Sequence, residues 1–213
     1  MRYYISDLHF FHDNLNHRMD NRGFQSMEEM HEYMIEKWNG RVRKKDEVVI
    51  LGDFSIGKGA QTNEILERLN GKLYLIKGNH DRFLRDKAFH REYFKWIEDY
   101  HELNDNGRKI ILSHYPVFCY NGQYRFNKSG IPKTYMLYGH VHNTFDEILV
   151  NEFIRKTRNT RRILGSNDGE REVDIPCQMI NCFCMFSDYV PLSLDEWIEV
   201  DRARREEMDE CER

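Results

Sequence analysis

Five times along this chain a short apolar run breaks off into a polar motif. The motifs are Asp7-x-His9, Gly52-Asp53, Gly78-Asn79-His80-Asp81, His114, and Gly139-His140-x-His142. Short apolar runs closed by turn-forming residues read as buried strands. The first three, Arg2–Ser6, Glu47–Leu51 and Lys72–Ile76, alternate with helical patterns. Ser26-Met27-Glu28-Glu29 has the form of a capping box, and Met27, Met30, Met34 and Trp38 recur at helical spacing, which predicts a helix over 26–38 with its methionines in the core. Thr62–Leu69 predicts a second helix, with Ile65, Leu66 and Leu69 on one face. Strand and helix in alternation specify a layered α/β sheet. The polar motifs then fall at strand C-termini, where such folds place their sites.

The second half is more mixed. His90–Ile97 is expected to form a short helix. Strands are expected at His101–Leu103 and Arg108–Leu112 about an Asn106-Gly107 hairpin turn. A long loop, Tyr115–Pro132, leads to a strand at Thr134–Tyr138. Thr144–Leu164 is expected to be partly helical, 165–175 an exposed loop, and Gln178–Phe183 a last strand. Ser193-Leu194-Asp195-Glu196 caps a terminal helix over 193–213. With 213 residues, no repeat and no linker, the chain reads as a single domain over 1–213, with 150–176 as an insertion or extended loop and helix.

A net charge of −4 gives no general attraction to nucleic acid or anionic membrane, though it leaves room for a local basic patch. The apolar run at the N-terminus is too short for a signal peptide and no stretch is long enough to span a bilayer, so a cytoplasmic location is expected. Five cysteines without a Cys-x-x-Cys pair argue against a disulfide framework or a structural zinc site. Cys182 and Cys184 are expected on one side of the last strand as reduced, buried thiols.

The chemistry lies in the conjunction of motifs. Asp7 and His9, two residues apart in extended chain, face one side and can hold one divalent ion. Asp53 offers two oxygens and can bridge two ions. Asn79 offers a carboxamide oxygen, His80 a proton near neutral pH, and Asp81 a carboxylate able to orient the His80 ring. His114, His140 and His142 add imidazoles. Each motif alone is an ordinary turn; together they hold the ligand set of a pair of divalent ions.

In this order the motifs resemble the calcineurin-like metallophosphoesterases. Asp7-Leu8-His9-Phe10-Phe11-His12-Asp13-Asn14, with Asn181 and Tyr189-Val190-Pro191-Leu192-Ser193, is similar to the compact bacterial and phage branch. The resemblance implies an α/β fold, a sandwich of two β-sheets flanked by helices, with a dinuclear centre at the strand ends. It implies a first metal on Asp7, His9, Asp53 and His142, and a second on Asp53, Asn79, His114 and His140. A metal-bridging hydroxide would attack phosphorus in line, His80 would protonate the leaving oxygen and Asp81 would orient it. Many members carry a further acid after Gly-Asp; here Phe54-Ser55-Ile56-Gly57 follows, and no ligand is expected there. Carboxylate, imidazole and amide without thiolate suit Mn²⁺, Fe, Ni or Zn²⁺. Mn²⁺ is expected, chiefly from the resemblance.

The leading expectation is a metal-dependent phosphoesterase acting on a phosphodiester, with a small phosphoester or nucleotide as substrate. The alternatives are a nuclease or nucleotide hydrolase of the same chemistry, and a non-catalytic metal-dependent scaffold. The loop after His114 carries Tyr115, Phe118, Tyr120, Tyr124 and Phe126 beside Arg125 and Lys128, which can stack bases and hold phosphates or simply pack. His12, Arg125 and Tyr120 are the expected substrate contacts. The basic run of Arg155, Lys156, Arg158, Arg161 and Arg162 reads as a solvated helix face or a nucleic-acid contact.

Overall fold

The computed structural model describes residues 1–166 and 169–211. Strand β1 (Arg2–Ile5) is followed by a short helix α1 (Asp13–His17) and by α2 (Met27–Arg41), whose Ser26 hydroxyl accepts from the Glu29 N–H at 3.1 Å. Strand β2 (Glu47–Ile50), helix α3 (Gly59–Arg68) and strands β3 (Lys72–Ile76) and β4 (Phe94–Glu98) complete the first sheet. It is all parallel, in the order β1-β2-β3-β4.

The second sheet contains β5 (Tyr100–Asp105), β6 (Arg108–Ser113) and β7 (Thr134–Tyr138). After helix α4 (Phe145–Arg158) and the ribbon of β8 (Arg161–Ser166) and β9 (Gly169–Asp174), β10 (Met179–Asn181) joins the far edge in the order β10-β7-β6-β5. Only β5 is antiparallel to its neighbour there. Helix α5 (Leu194–Cys211) closes the described chain. No helix among the described residues is long and apolar enough to cross a membrane.

Strand residues alternate between faces, and both faces here are apolar. Tyr3, Ile5, Val48, Ile50, Leu73 and Leu75 pack with α2 and α3 around Met30, Met34, Trp38 and Leu66. Tyr4, Val49 and Ile76 point the other way, onto Ile110, Leu112, Tyr135, Leu137 and Ile180 of the second sheet. The outer face of that sheet, Ile111, Met136, Tyr138 and Met179, packs on Val150 and Ile154 of α4. The result is a four-layer helix, sheet, sheet, helix sandwich, the expected α/β class.

Three local expectations are corrected. The segment His90–Ile97 is not a helix: a 3₁₀ turn at Arg91–Tyr93 leads into β4, where Phe94 and Ile97 pair with Leu73 and Leu75. Aromatic and β-branched residues beside an open edge of a parallel sheet gain more from pairing than from a helix too short to nucleate. The stretch Thr144–Leu164 is partly helical, as α4 up to Arg158, but the described part of the expected loop at 165–175 is largely the β8–β9 ribbon. Its pairing is charged, with Arg161 reaching Glu172 at 3.6 Å and Asp174 at 3.8 Å, so no apolar alternation announces it. The last strand ends at Asn181 and Cys184 opens a 3₁₀ turn, so Cys182 and Cys184 do not share a strand face. Both are buried free thiols. Residues 167–168 of that loop and 212–213 of the expected terminal helix lie outside the described residues.

Trp197 of α5 is fully buried between the sheets and donates its indole N–H to the Tyr4 carbonyl at 2.8 Å. Trp197→Ala is expected to cost about 3–5 kcal/mol. In urea denaturation the midpoint should fall with little change in slope.

Candidate metal centre

The parallel register sets Ile5, Ile50 and Leu75 side by side, so the turns after β1, β2 and β3 leave the sheet at one level. Leu112 pairs with Leu137 in the second sheet, which brings the turns after β6 and β7 to the same rim. At that rim the backbone curls inward. Asp7, His9, Asp53, His140 and His142 all have positive φ, between 48° and 71°. Left-handed conformations at non-glycine residues cost about 1–3 kcal/mol each and gather at functional sites.

Close approach is the second local requirement. A Cβ on Gly78 would collide with the Asp53 carboxylate and backbone, and a Cβ on Gly139 with Asp7 and Ser6. Hydrogen at these two positions lets the turns touch.

Two candidate ligand groups result. Asp7, His9 and His142, all buried, bring one donor atom each within 4.8 Å of one another, and so do Asp53, His114 and His140. Asn79 adds its Oδ1 at 3.1 Å from His114 Nε2. The Asp53 Oδ2 lies 3.5 Å from His9 Nε2 and 3.4 Å from His114 Nε2, so it faces both groups. The other oxygen, Oδ1, accepts the His80 backbone N–H at 2.8 Å, and Asp7 accepts that of His140 at 3.1 Å.

The arrangement is short of positive charge. His114 Nδ1 donates to the Leu51 carbonyl at 2.8 Å, which leaves only Nε2 to face Asp53 and Asn79. His142 Nδ1 is held by Asp20 at 2.7 Å, which turns its Nε2 toward Asp7 at 3.5 Å and toward His9 Nε2 at 3.1 Å. Burial lowers His114, but Asp53 and Asp7 outweigh it and hold the imidazole up at about 9. Burial likewise opposes His142, and Asp20 and Asp7 bring it to about 9. His9, also buried, is pushed by its burial down to about 3. Asp7 and Asp53 are lowered despite their burial because imidazoles surround them. Acceptors that converge and draw protons in this way fit divalent cations.

Asp20 was not visible as a functional residue in the sequence. It sits in the loop after α1, with its side chain buried and bonded to Arg22 at 2.9 Å and to His142. Arg22 itself is buried and donates to the Leu8 and Asp7 carbonyls at 2.7 and 3.0 Å, tying this loop to the first motif. No periodicity marks either residue, and their partners are a backbone turn and a histidine far along the chain. Asn181 is a further organiser: its Nδ2 donates to the His142 carbonyl at 2.9 Å.

The other expected residues divide. His80 is half-buried at the rim, its ring 5.4 Å from that of His9 and 6.1 Å from that of His12. His12 stands 5.3 Å from His9, beside the centre. Asp81 has a different task from the one expected. Its carboxylate accepts the backbone N–H groups of Asp53, Phe54 and Gly78 at 2.8–3.0 Å, which staples the second motif to the third instead of orienting the His80 ring. Tyr120 is not a substrate contact: it is buried against α4 with its hydroxyl on the Gln178 carbonyl at 2.9 Å. Arg125 is exposed on a turn closed by Gly122 and Lys133, with no tie to the centre among the described residues. Tyr115 is the loop aromatic at the site, its ring 4.4 Å from His140 and its hydroxyl 3.4 Å from Asn79 Oδ1. The basic run does not form one face. Arg158 bonds the Pro176 carbonyl at 3.1 Å, Arg161 pairs with acids, and Arg162 lies over Tyr124.

Comparison with known proteins gives three findings. The family model for the calcineurin-like phosphoesterases matches residues 3–180. The uncharacterized protein MJ1445 of Methanocaldococcus jannaschii is 35% identical over 196 residues, covering 91% of this chain and 86% of the relative. The solved structure of AQ665 from Aquifex aeolicus, a protein of unknown function, has a TM-score of 0.61 at 24% identity, over 94% of this chain and 98% of that one, a likeness of fold.

Removing the carboxylate that holds a ligating imidazole typically weakens metal binding about 10–100-fold. Asp20→Asn is expected to fall in that range for Mn²⁺ in calorimetric titration. Because His114 and His142 hold protons up to about 9, Mn²⁺ must displace them, and apparent affinity should rise with pH up to that point. Proton release on Mn²⁺ addition to weakly buffered protein measures this directly.

Proposed function

This chain belongs to the calcineurin-like phosphoesterase family, and on that footing we propose that it is a dinuclear metal-dependent phosphodiesterase. Membership implies divalent ions and phosphoester hydrolysis. The dinuclear reading is carried by Asp53, whose Oδ2 stands within 3.5 Å of an imidazole nitrogen from each ligand group.

Asp7, His9, Asp53 and His142 would hold one ion, and Asp53, Asn79, His114 and His140 the other. Bound there, the ions would neutralise charge on the non-bridging phosphate oxygens and make water acidic enough to act as a nucleophile near neutral pH. The donor set has no thiolate, since the Cys184 thiol donates to the Asp7 carbonyl at 3.2 Å, and Mn²⁺ is our choice of activating ion. A phosphodiester, with a single charge to be neutralised, suits two cations without overstabilising the ground state.

The chain's own groups do the rest. His80 sits at the rim, where its backbone N–H is fixed to Asp53 and its ring is free to give a proton to the departing ester oxygen. Asp81 keeps the His80 turn and the Asp53 turn at constant separation through its four backbone contacts. Asn79 and Tyr115 bound the opening on the side of the second ligand group. A nucleotide substrate is a second reading, supported by the half-exposed Tyr115 ring beside His140.

Chelator-treated protein should not hydrolyse bis(4-nitrophenyl) phosphate and should regain turnover with added Mn²⁺. His80→Ala should lower kcat by about 10²–10⁴-fold while the number of Mn²⁺ ions bound stays the same. Absence of turnover with Mn²⁺, Fe²⁺, Ni²⁺ or Zn²⁺ across roughly pH 6–9 would instead favour a metal-dependent scaffold.

A further inference from the structure

Beside the metal centre the surface opens into a cleft of about 490 Å³, well inside the usual range for small-molecule sites. Gly78, Asn79, Asp81 and Tyr115 form its inner wall, so it shares Asn79 with the second ligand group. The rest of the lining carries four cations, Lys77, Arg82, Arg85 and Arg91, against one acid, Asp99, with Leu84 and Ile97 between them.

Three of these charges are unspent. Lys77 is paired with Asp99 at 2.6 Å. Arg82 and Arg85, on the 3₁₀ turn that follows Asp81 directly, and Arg91, which opens the turn before β4, are exposed. Among the described residues, none of these three guanidiniums has a carboxylate partner. A chain with 36 acidic residues against 32 basic ones has acids enough to neutralise them. Three like charges around one concavity repel one another, and an anion removes that cost. Guanidinium is the side chain whose planar fork matches phosphate oxygens in pairs.

We propose that this cleft binds a second phosphate group of the substrate. The reacting phosphate lies at the metal centre and Tyr115 stands at the join. The substrate is thus a small phosphodiester that carries at least one further phosphate group, and nucleoside bisphosphates and diphosphates serve as its two-phosphate binding analogues. The assignment rests on the phosphoesterase reading for the placement of the first phosphate only. The cleft's volume and the negative net charge favour a compact anion over a nucleic-acid strand.

The test compares ligands that differ by one phosphate. AMP, ADP and adenosine 3′,5′-bisphosphate are titrated calorimetrically into Mn²⁺-loaded protein at fixed free Mn²⁺, with wild type beside an Arg82→Ala/Arg85→Ala/Arg91→Ala variant. In wild type the better of the two-phosphate ligands should bind at least about tenfold more tightly than AMP, the scale of a pair of charge-assisted hydrogen bonds. In the variant that ratio should fall toward one, and in single variants such as Arg85→Gln it should fall in part. Circular dichroism establishes that each variant is folded. A ratio near one in wild type, or a ratio kept by the folded triple variant, overturns the proposal. So does tighter binding of a short single-stranded DNA that the triple variant loses, since the cleft would then serve a polymer. Failure of the hydrolysis assay with bis(4-nitrophenyl) phosphate sinks the phosphoesterase reading and leaves this binding ratio standing as a separate result.

Discussion

Asp7 and Asp53 are carboxylates taken almost wholly out of water, with a backbone N–H on one side of each and imidazole nitrogens on the other. Burying an ion without compensation costs several kcal/mol. The protein compensates on one flank with fixed dipoles and leaves the other flank to whatever cation arrives. His114 and His142 are anchored from behind by the Leu51 carbonyl and by Asp20, so neither ring can swing out to satisfy itself elsewhere. The rest of the molecule can be understood as the frame that keeps these groups facing one another. Two sheets packed through Tyr4, Val49, Leu112 and Leu137 hold their strand ends at one rim, and neither sheet alone carries both groups of ligands.

The frame is strained where it matters. Five of the metal-facing residues adopt backbone angles that L-amino acids avoid, and two glycines allow turns to approach until no Cβ would fit. A sandwich with wide cores on both sides of each sheet can support several kcal/mol of local cost. The staples are specific: Asp81 across two turns, Arg22 onto the Asp7 and Leu8 carbonyls, Asn181 onto His142. Each of these side chains is polar, buried and spent on backbone, which is how a protein fixes a conformation that propensity alone would not choose.

Much of this was legible in the chain itself. The residues of the two candidate ligand groups end apolar runs in the sequence, and strand ends in an α/β sheet share a location. The first half of the fold followed from clean alternation of strand and helix patterns. What escaped notice has a common cause. Strand β4 has a sequence that suits a short helix as well, and its partner β3 decides its state. The β8–β9 ribbon pairs through charge, so it carries no apolar signal. Asp20 and Arg22 act through a distant histidine and through main-chain carbonyls, neither of which leaves a pattern in the sequence. An acid beside a histidine suggests that histidine as its partner, but the Asp81 carboxylate is taken up by backbone N–H groups of two turns. Tyr120 and Tyr115 lie in one loop and look alike on paper; only the fold turns one inward and the other toward His140.

The span of the metal-facing residues, from Asp7 to His142 with Asn181 as the clasp on His142, has a bearing on how the protein matures. On the ribosome the last of these residues emerges only after β7, and the Asn181 clasp only with β10. An ion held at this site would meet scattered donors until both sheets had packed, so that loading would follow completion of the fold.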